Sequence, residues 1–172
     1  MPASTLSPPA TAATTPRSRV NPRLALACKV VLFLLATYHL LTGVVAVFMP
    51  DMSRPFYEML YHFKPHFWEQ YILILKPWGA YALFTGAALS FAFWDPRRYR
   101  GVIWCMTALL LVRVGYRLLF WEEAWRVFQI DAARNFLNAG LMVIWATVLG
   151  AWSVADWRAS RGEPRTCEDA PA

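Results

Sequence analysis

The sequence predicts an all-α integral membrane protein, built as a four-helix bundle with interfacial amphipathic segments. Of its 172 residues, 58% are hydrophobic and only 16% are charged, a balance too apolar for a soluble surface. Aromatic residues, which are included in that hydrophobic share, make up 16% of the chain, and their rings suit the boundary between hydrocarbon and headgroups. Four apolar stretches are long enough to cross a bilayer.

The N-terminal segment, residues 1–23, is rich in Pro, Ser, Thr and Ala and predicts a disordered tail. The first apolar stretch, 24–49, is too long for the apolar part of a signal peptide, so we expect it to remain as a span. Pro50 and Asp51 then open an amphipathic stretch that ends near Tyr71. Its mixture of aromatic and charged residues is typical of a segment that lies in the membrane interface.

The other spans follow at shorter intervals. The four predicted spans are 24–49, 72–94, 101–121 and 132–157. The second and third are joined by a short loop and therefore form a helical hairpin. An amphipathic segment, 122–130, precedes the fourth span, and a polar tail, 158–172, follows it.

The distribution of Lys and Arg predicts the orientation. These residues concentrate before the first span, in the loop after Trp94 and in the tail after Trp157, whereas the other loops carry more acidic residues. Positive charge stays on the cytoplasmic side, so we expect both termini in the cytoplasm and the chain in the inner (cytoplasmic) membrane of the cell. The same clusters lie beside apolar segments and not along one soluble face, so nucleic acid is not an expected partner.

Small residues recur every four positions in two spans. Ala82, Gly86 and Ser90 do so in the second span, and Ala146 and Gly150 in the fourth. Small side chains let helix backbones approach closely in lipid, so the pattern predicts helix interfaces.

Arg113 and Arg117 are the most anomalous residues of the chain. They lie four positions apart, hence on one helix face, inside an otherwise apolar run. An Arg at the centre of a spanning helix costs about 2.5 to 3.5 kcal/mol unless it finds a partner. Two interpretations stay open: an anion or ligand site, or a lock to a neighbouring side chain. The candidate partners for a lock are Glu122, Glu123, Asp131, Asn135 and Asn138.

Three histidines are candidates for chemistry. His39 lies in the first span, where it is either hydrogen-bonded within the bundle or used for proton transfer or haem ligation. Haem is disfavoured because no other span holds a His as second axial ligand. His62 and His66 have metal-binding spacing, but Pro65 between them breaks the helix, so no metal site is expected. No catalytic residue set is present, and the chain has no C-x-x-C.

The polar residues of the spans can gather in one half of the bundle, towards the outer face. The predicted ligand-binding residues are Arg113, Arg117, His39, Lys76, Asn135, Asn138, Tyr116 and Trp78, with Tyr81 as a further wall. Such a basic, aromatic-walled pocket suits a quinone or a lipid headgroup, since cationic donors hold oxygens while rings pack apolar parts.

The segment KPWGAYALFTGAALSFAFWDPRRYR, residues 76–100, within this layout of spans resembles the DoxX-like group of small four-helix bacterial membrane proteins. The resemblance covers about residues 25–157. It implies an accessory membrane subunit beside respiratory or sulfur-linked electron transfer more than an independent enzyme.

Three functions follow as hypotheses. The leading one is a non-catalytic accessory or lipophile-binding subunit, with membrane lipid and other membrane subunits as partners and a quinone or lipid as ligand. The rival is a membrane-embedded redox enzyme or a haem or quinone carrier that uses His39. A small transporter comes last, because the inner halves of the spans offer only scattered Ser and Thr.

Overall fold

The structure, a computed structural model, describes residues 20–61, 68–128 and 130–161. In these ranges the chain is helical throughout, apart from short connections, and contains no strand. The helices are α1 (Pro22–Phe48), α2 (Pro50–Tyr61), α3 (Trp68–Trp94), α4 (Arg100–Leu119), α5 (Trp121–Phe128) and α6 (Ala132–Arg161). The pair His62 and His66, residues 1–19 of the predicted tail and residues 162–172 lie outside the described residues.

The all-α prediction is confirmed within the described ranges. Three of the described helices, α1, α4 and α6, are long and apolar enough to cross a membrane. The remaining predicted span, 72–94, falls on α3, which has 27 residues like α1 but is not among those three. The four-span arrangement therefore stays a prediction.

The first helix begins two residues before its predicted start. The side chain of Asn21 accepts a hydrogen bond from the Arg23 amide at 2.9 Å, and Pro22 occupies the first turn. An Asn cap satisfies an amide that the helix cannot, and proline has no amide to satisfy at that position. The end of the predicted tail is thus the beginning of α1.

The most extensive helix contact joins α1 to α3, which run antiparallel. It depends on glycines: a Cβ on Gly79 would lie 2.5 Å from Cβ of Ala46, and one on Gly86 would lie 2.7 Å from Cγ of Leu40. Gly43 is equally close to the α3 backbone, with the Gly79 carbonyl oxygen 2.8 Å from the position of its missing Cβ. No larger side chain fits without separating the helices.

The predicted small-residue patterns meet different neighbours. Gly86 lies in the α1–α3 contact, Ala82 is buried, and the Ser90 hydroxyl donates to the Gly86 carbonyl within α3. In α6, Ala146 is buried, but Gly150 has space for a Cβ, since Cγ2 of Thr107 would be 3.6 Å away. Close backbone approach is thus a property of α1 and α3.

Helix α2 folds back against α1. The Ser53 hydroxyl is buried and lies 3.0 Å from the carbonyl oxygens of Val45 and Met49. Further along, the Tyr57 hydroxyl donates to the Thr42 carbonyl at 3.1 Å. The opposite face of α2 carries an exposed ion pair between Arg54 and Glu58. Helix α2 is therefore amphipathic, and its buried face covers one end of the long helices.

Asp156 fastens the other end, where α3 joins α4. Its carboxylate lies 3.0 Å from Nε of Arg97 and 3.3 Å from Nη1 of Arg100. The Asp156 side chain is 3% exposed, whereas those of Arg97 and Arg100 are 66% and 34% exposed. This ion pair connects α6 to the hairpin loop, and we call it the hairpin clamp.

Replacing Gly79 by Ala is expected to destabilise the fold by about 1 to 3 kcal/mol, because the new methyl group overlaps Ala46. The matched control is Gly140→Ala in α6, where no atom lies within 4 Å of the added Cβ, and its stability should stay within about 0.5 kcal/mol of wild type. Thermal unfolding of both variants in detergent micelles measures the difference. Equal unfolding temperatures would contradict the close contact.

The hairpin clamp predicts an asymmetry. Removing both guanidiniums, in Arg97→Gln with Arg100→Gln, leaves a buried carboxylate without a counter-charge and should cost about 3 kcal/mol or more. Asp156→Asn leaves cations that can turn to solvent, so about 1 kcal/mol is expected. Denaturant unfolding at neutral pH compares them. If Asp156→Asn proves the more damaging, the carboxylate is not the group that depends on the clamp.

Candidate ligand cavity

A cavity of about 450 Å³ lies between the long helices, at the end covered by α2. Its apolar wall is drawn mainly from α3 and α4 and contains Ile74, Leu75, Trp78, Val112, Tyr116, Phe120, Ile130 and Met142. Its polar wall contains Tyr38, Tyr57, Tyr71, Arg113, Arg117 and Asn135. The cavity has the size and the mixture of surfaces of a small-molecule site.

Arg117 is locked to Asn135. Nη1 of Arg117 donates to Oδ1 of Asn135 at 2.8 Å, and Nδ2 of Asn135 donates to the Arg117 carbonyl at 3.0 Å. Asn135 is buried one turn into α6, so the two bonds join α4 to α6. Asn135 is one of the five candidate partners for the two arginines, and in the structure it binds Arg117.

Arg113 lies one turn away on the same wall and has no such partner. It is half-buried, and it makes no hydrogen bond or ion pair with any residue in the part of the chain that the structure describes. Glu122, Glu123 and Asp131, the acidic partners considered for it, are exposed. Its guanidinium is therefore available to a molecule in the cavity.

The phenol of Tyr57 closes the cavity on the α2 side. Burial raises the pKa of Tyr57 above its ordinary value, and the neighbouring phenols of Tyr38 and Tyr71 raise it further. The phenol is consequently neutral at physiological pH and keeps its proton for the Thr42 carbonyl. This bond fixes the position of α2 over the cavity.

Five of the eight predicted site residues line the cavity, namely Arg113, Arg117, Asn135, Tyr116 and Trp78. Three do not. His39 is buried, and its Nδ1 lies 2.8 Å from the Leu35 carbonyl of its own helix. Lys76 is exposed beside the buried Leu75, and Asn138 is half-buried on α6 away from the lining. Tyr81, the further predicted wall, is also exposed.

Sequence reasoning missed several lining residues, above all Tyr57 and Tyr71. No local pattern marks Tyr57, because it reaches the cavity only when α2 folds back onto α1. Tyr71 is at the end of the predicted interfacial stretch, whereas the structure places it in α3. Asp156 was overlooked as well, although a lone carboxylate in an apolar helix opposite a basic loop was a readable signal.

Within the described residues, no group of three or more His, Cys, Asp and Glu side chains is placed to hold a metal ion. Comparison of the chain with protein-family models, curated proteins and solved structures gives no match.

The lock between Arg117 and Asn135 makes a stability prediction. Asn135→Leu removes both hydrogen bonds and leaves the Arg117 guanidinium without its partner, so a loss of about 2 to 3 kcal/mol is expected. Asn138→Leu is the matched control, one turn along α6, and should change stability by less than about 1 kcal/mol. Unfolding in micelles, followed by circular dichroism, measures both. Similar losses for the two variants would argue against the lock.

Proposed function

We propose that this chain is a small polytopic membrane protein that binds a lipophile, a quinone or a lipid, in the cavity beside Arg113. In this proposal it acts as an accessory subunit of a membrane system, with electron transfer as the setting that its resemblance to the DoxX-like group implies. The proposal involves no reaction by the protein itself.

The single observation that carries the proposal is the guanidinium of Arg113 at the wall of the cavity, which has no hydrogen-bond or ion-pair partner among the described residues. A cation among apolar helices is costly unless something neutralises or hydrogen-bonds it. Asn135 is hydrogen-bonded to Arg117, and no residue in the described part of the chain is hydrogen-bonded or ion-paired to the Arg113 side chain. A bound ligand with polar oxygens would supply the hydrogen-bond acceptors that the described residues do not offer to Arg113.

The rest of the wall favours a lipophile over a small polar solute. Aliphatic and aromatic side chains surround the cationic group on the sides formed by α3 and α4. Such surfaces gain from apolar contact, whereas a small hydrophilic molecule would leave them without a partner. A ligand with one polar end and one apolar body matches both parts.

The geometry supports the rival hypothesis, redox chemistry at His39, less well than it supports ligand binding beside Arg113. His39 is buried, uses Nδ1 within α1 and contacts the Tyr38 ring edge-on, with ring centroids 5.0 Å apart. It does not line the cavity. A transporter would need a polar route through the hairpin end, where the core is made of apolar residues such as Leu32, Ile103 and Leu149.

The proposal includes four spans, with α3 as the fourth, and both termini in the cytoplasm. Two observations support this arrangement. Helix α3 packs extensively on α1, and α1 is apolar enough to cross a membrane; basic residues lie at the hairpin end. In this orientation the cavity lies in the outer half of the membrane.

Filling the cavity tests the proposal. Met142→Trp places a large ring in the cavity from α6, whereas Leu141→Trp adds the same ring to the exposed neighbouring position. Mass spectrometry of lipophiles extracted from the purified proteins should show about a tenfold loss for Met142→Trp alone, equivalent to about 1.4 kcal/mol. Folding is checked by helical circular dichroism. Equal retention by two folded variants would refute binding in the cavity.

A further inference from the structure

We propose that the ligand is an anionic amphiphile, whose carboxylate or phosphate head binds Arg113 and whose hydrocarbon chain leaves the cavity between α3 and α4. This inference rests on the proposed lipophile-binding function and narrows it, because a quinone is neutral and would not meet the same requirement.

The cavity carries a net positive charge on its described lining. Its described lining contains Arg113 and Arg117 and no Asp or Glu. Asn135 supplies Arg117 with an oxygen but with no negative charge. The ion pairs in the described part of the chain lie elsewhere, in the Arg54–Glu58 pair and the hairpin clamp. Two uncompensated cations in an apolar setting favour an anion over a neutral ring, because charge–charge attraction is strong where water is scarce.

The shape of the guanidinium also favours an anionic head. Arg presents its donors as a planar fork that matches the two oxygens of a carboxylate or a phosphate. The Arg113 fork has no partner among the described residues, so it can bind both oxygens of one head. The phenols at the closed end of the cavity are further polar neighbours, and Tyr57 keeps its proton.

The opening of the cavity sets the direction in which the ligand's hydrocarbon chain leaves. Ile74 of α3 and Val112 of α4 line the cavity yet are 64% and 69% exposed, whereas Leu75 and Asn135 on the inner wall are each 2% exposed. Helices α3 and α4 have little contact with each other, since α3 packs on α1 and α4 on α6. The mouth is therefore apolar and faces sideways, towards the hydrocarbon in the proposed orientation.

The size of the cavity agrees with this arrangement. A volume of about 450 Å³ accommodates a polar head and the first part of a chain. A diacyl lipid is too large to be enclosed and must extend through the mouth. An apolar mouth is compatible with such a chain, whereas a free inorganic phosphate would leave the apolar wall unused.

Ligand selectivity of the full-length wild-type protein provides the first test. The protein in maltoside micelles is offered equal amounts of oleate, dioleoylphosphatidate, dioleoylphosphatidylcholine and decylubiquinone, and native mass spectrometry measures what each chain retains. The expected result is retention of oleate or phosphatidate well above the other two. The comparison of oleate with phosphatidate separates a carboxylate head from a phosphate head.

Charge variants provide the second test. Arg113→Gln should lower retention of the anionic probe by about tenfold or more and leave decylubiquinone unchanged. Arg113→Lys, which keeps the charge and loses the fork, should fall between Arg113→Gln and wild type. Arg54→Gln is the matched control, because it removes the same charge from the exposed face of α2, and it should bind as wild type does.

A sideways mouth predicts the route of entry. Val112→Trp should slow uptake of oleate from lipid vesicles several-fold, whereas Leu111→Trp, on an exposed part of α4 outside the cavity, should not. Equal uptake rates would overturn the proposed mouth.

The outcomes separate this inference from the function it rests on. Retention of decylubiquinone at least equal to that of oleate and phosphatidate, abolished by Met142→Trp, together with anionic-probe retention that Arg113→Gln does not lower, would overturn the anionic head and leave lipophile binding intact. Failure of the wild-type protein to retain any probe would overturn both.

Discussion

A polar group buried between apolar helices has no water to turn to, so its partner must come from the protein or from a bound molecule. Most of this molecule obeys that constraint by internal pairing. The Ser53 hydroxyl is hydrogen-bonded to carbonyl oxygens at the end of α1. Asn135 and Arg117 are hydrogen-bonded to each other, and the Asp156 carboxylate binds two guanidiniums. Each of these pairs also joins two segments of the chain. The polar groups therefore help to set which helices are neighbours.

Arg113 departs from this pattern. Among the described residues, the Ser153 hydroxyl and Nε of Arg134 are fully buried without a partner, but neither residue lines the cavity, whereas the half-buried Arg113 does. The cavity exists because the long helices pair unevenly: glycines draw α3 onto α1, and the Asn135 lock and the hairpin clamp hold α4 near α6. The α3–α4 side is left sparsely packed. The site proposed for a ligand is thus a consequence of how the other contacts are satisfied.

Arg113 and Arg117 have different roles, although they lie on the same face of α4. Arg117, one turn nearer the end of α4, is a structural residue whose fork is used by Asn135. Arg113 is left with a charge and a set of donors that the described residues do not use. A protein that needed only to fasten α4 to α6 would have gained stability from a nonpolar residue there, since the charge is costly in an apolar setting. The anionic ligand proposed above would occupy those donors.

The sequence by itself determined the helical class, the helix order and most helix ends, because apolar length, proline and capping residues act locally. It also singled out Arg113 and Arg117, since two cations in an apolar run are anomalous in any fold. It could not decide that Asn135 belongs to Arg117, that Lys76 faces away from the cavity, or that Tyr57 closes it. Those facts depend on helix rotation and on α2 folding back onto α1, which are set by contacts between residues distant in the chain. Only the tertiary structure brings them together.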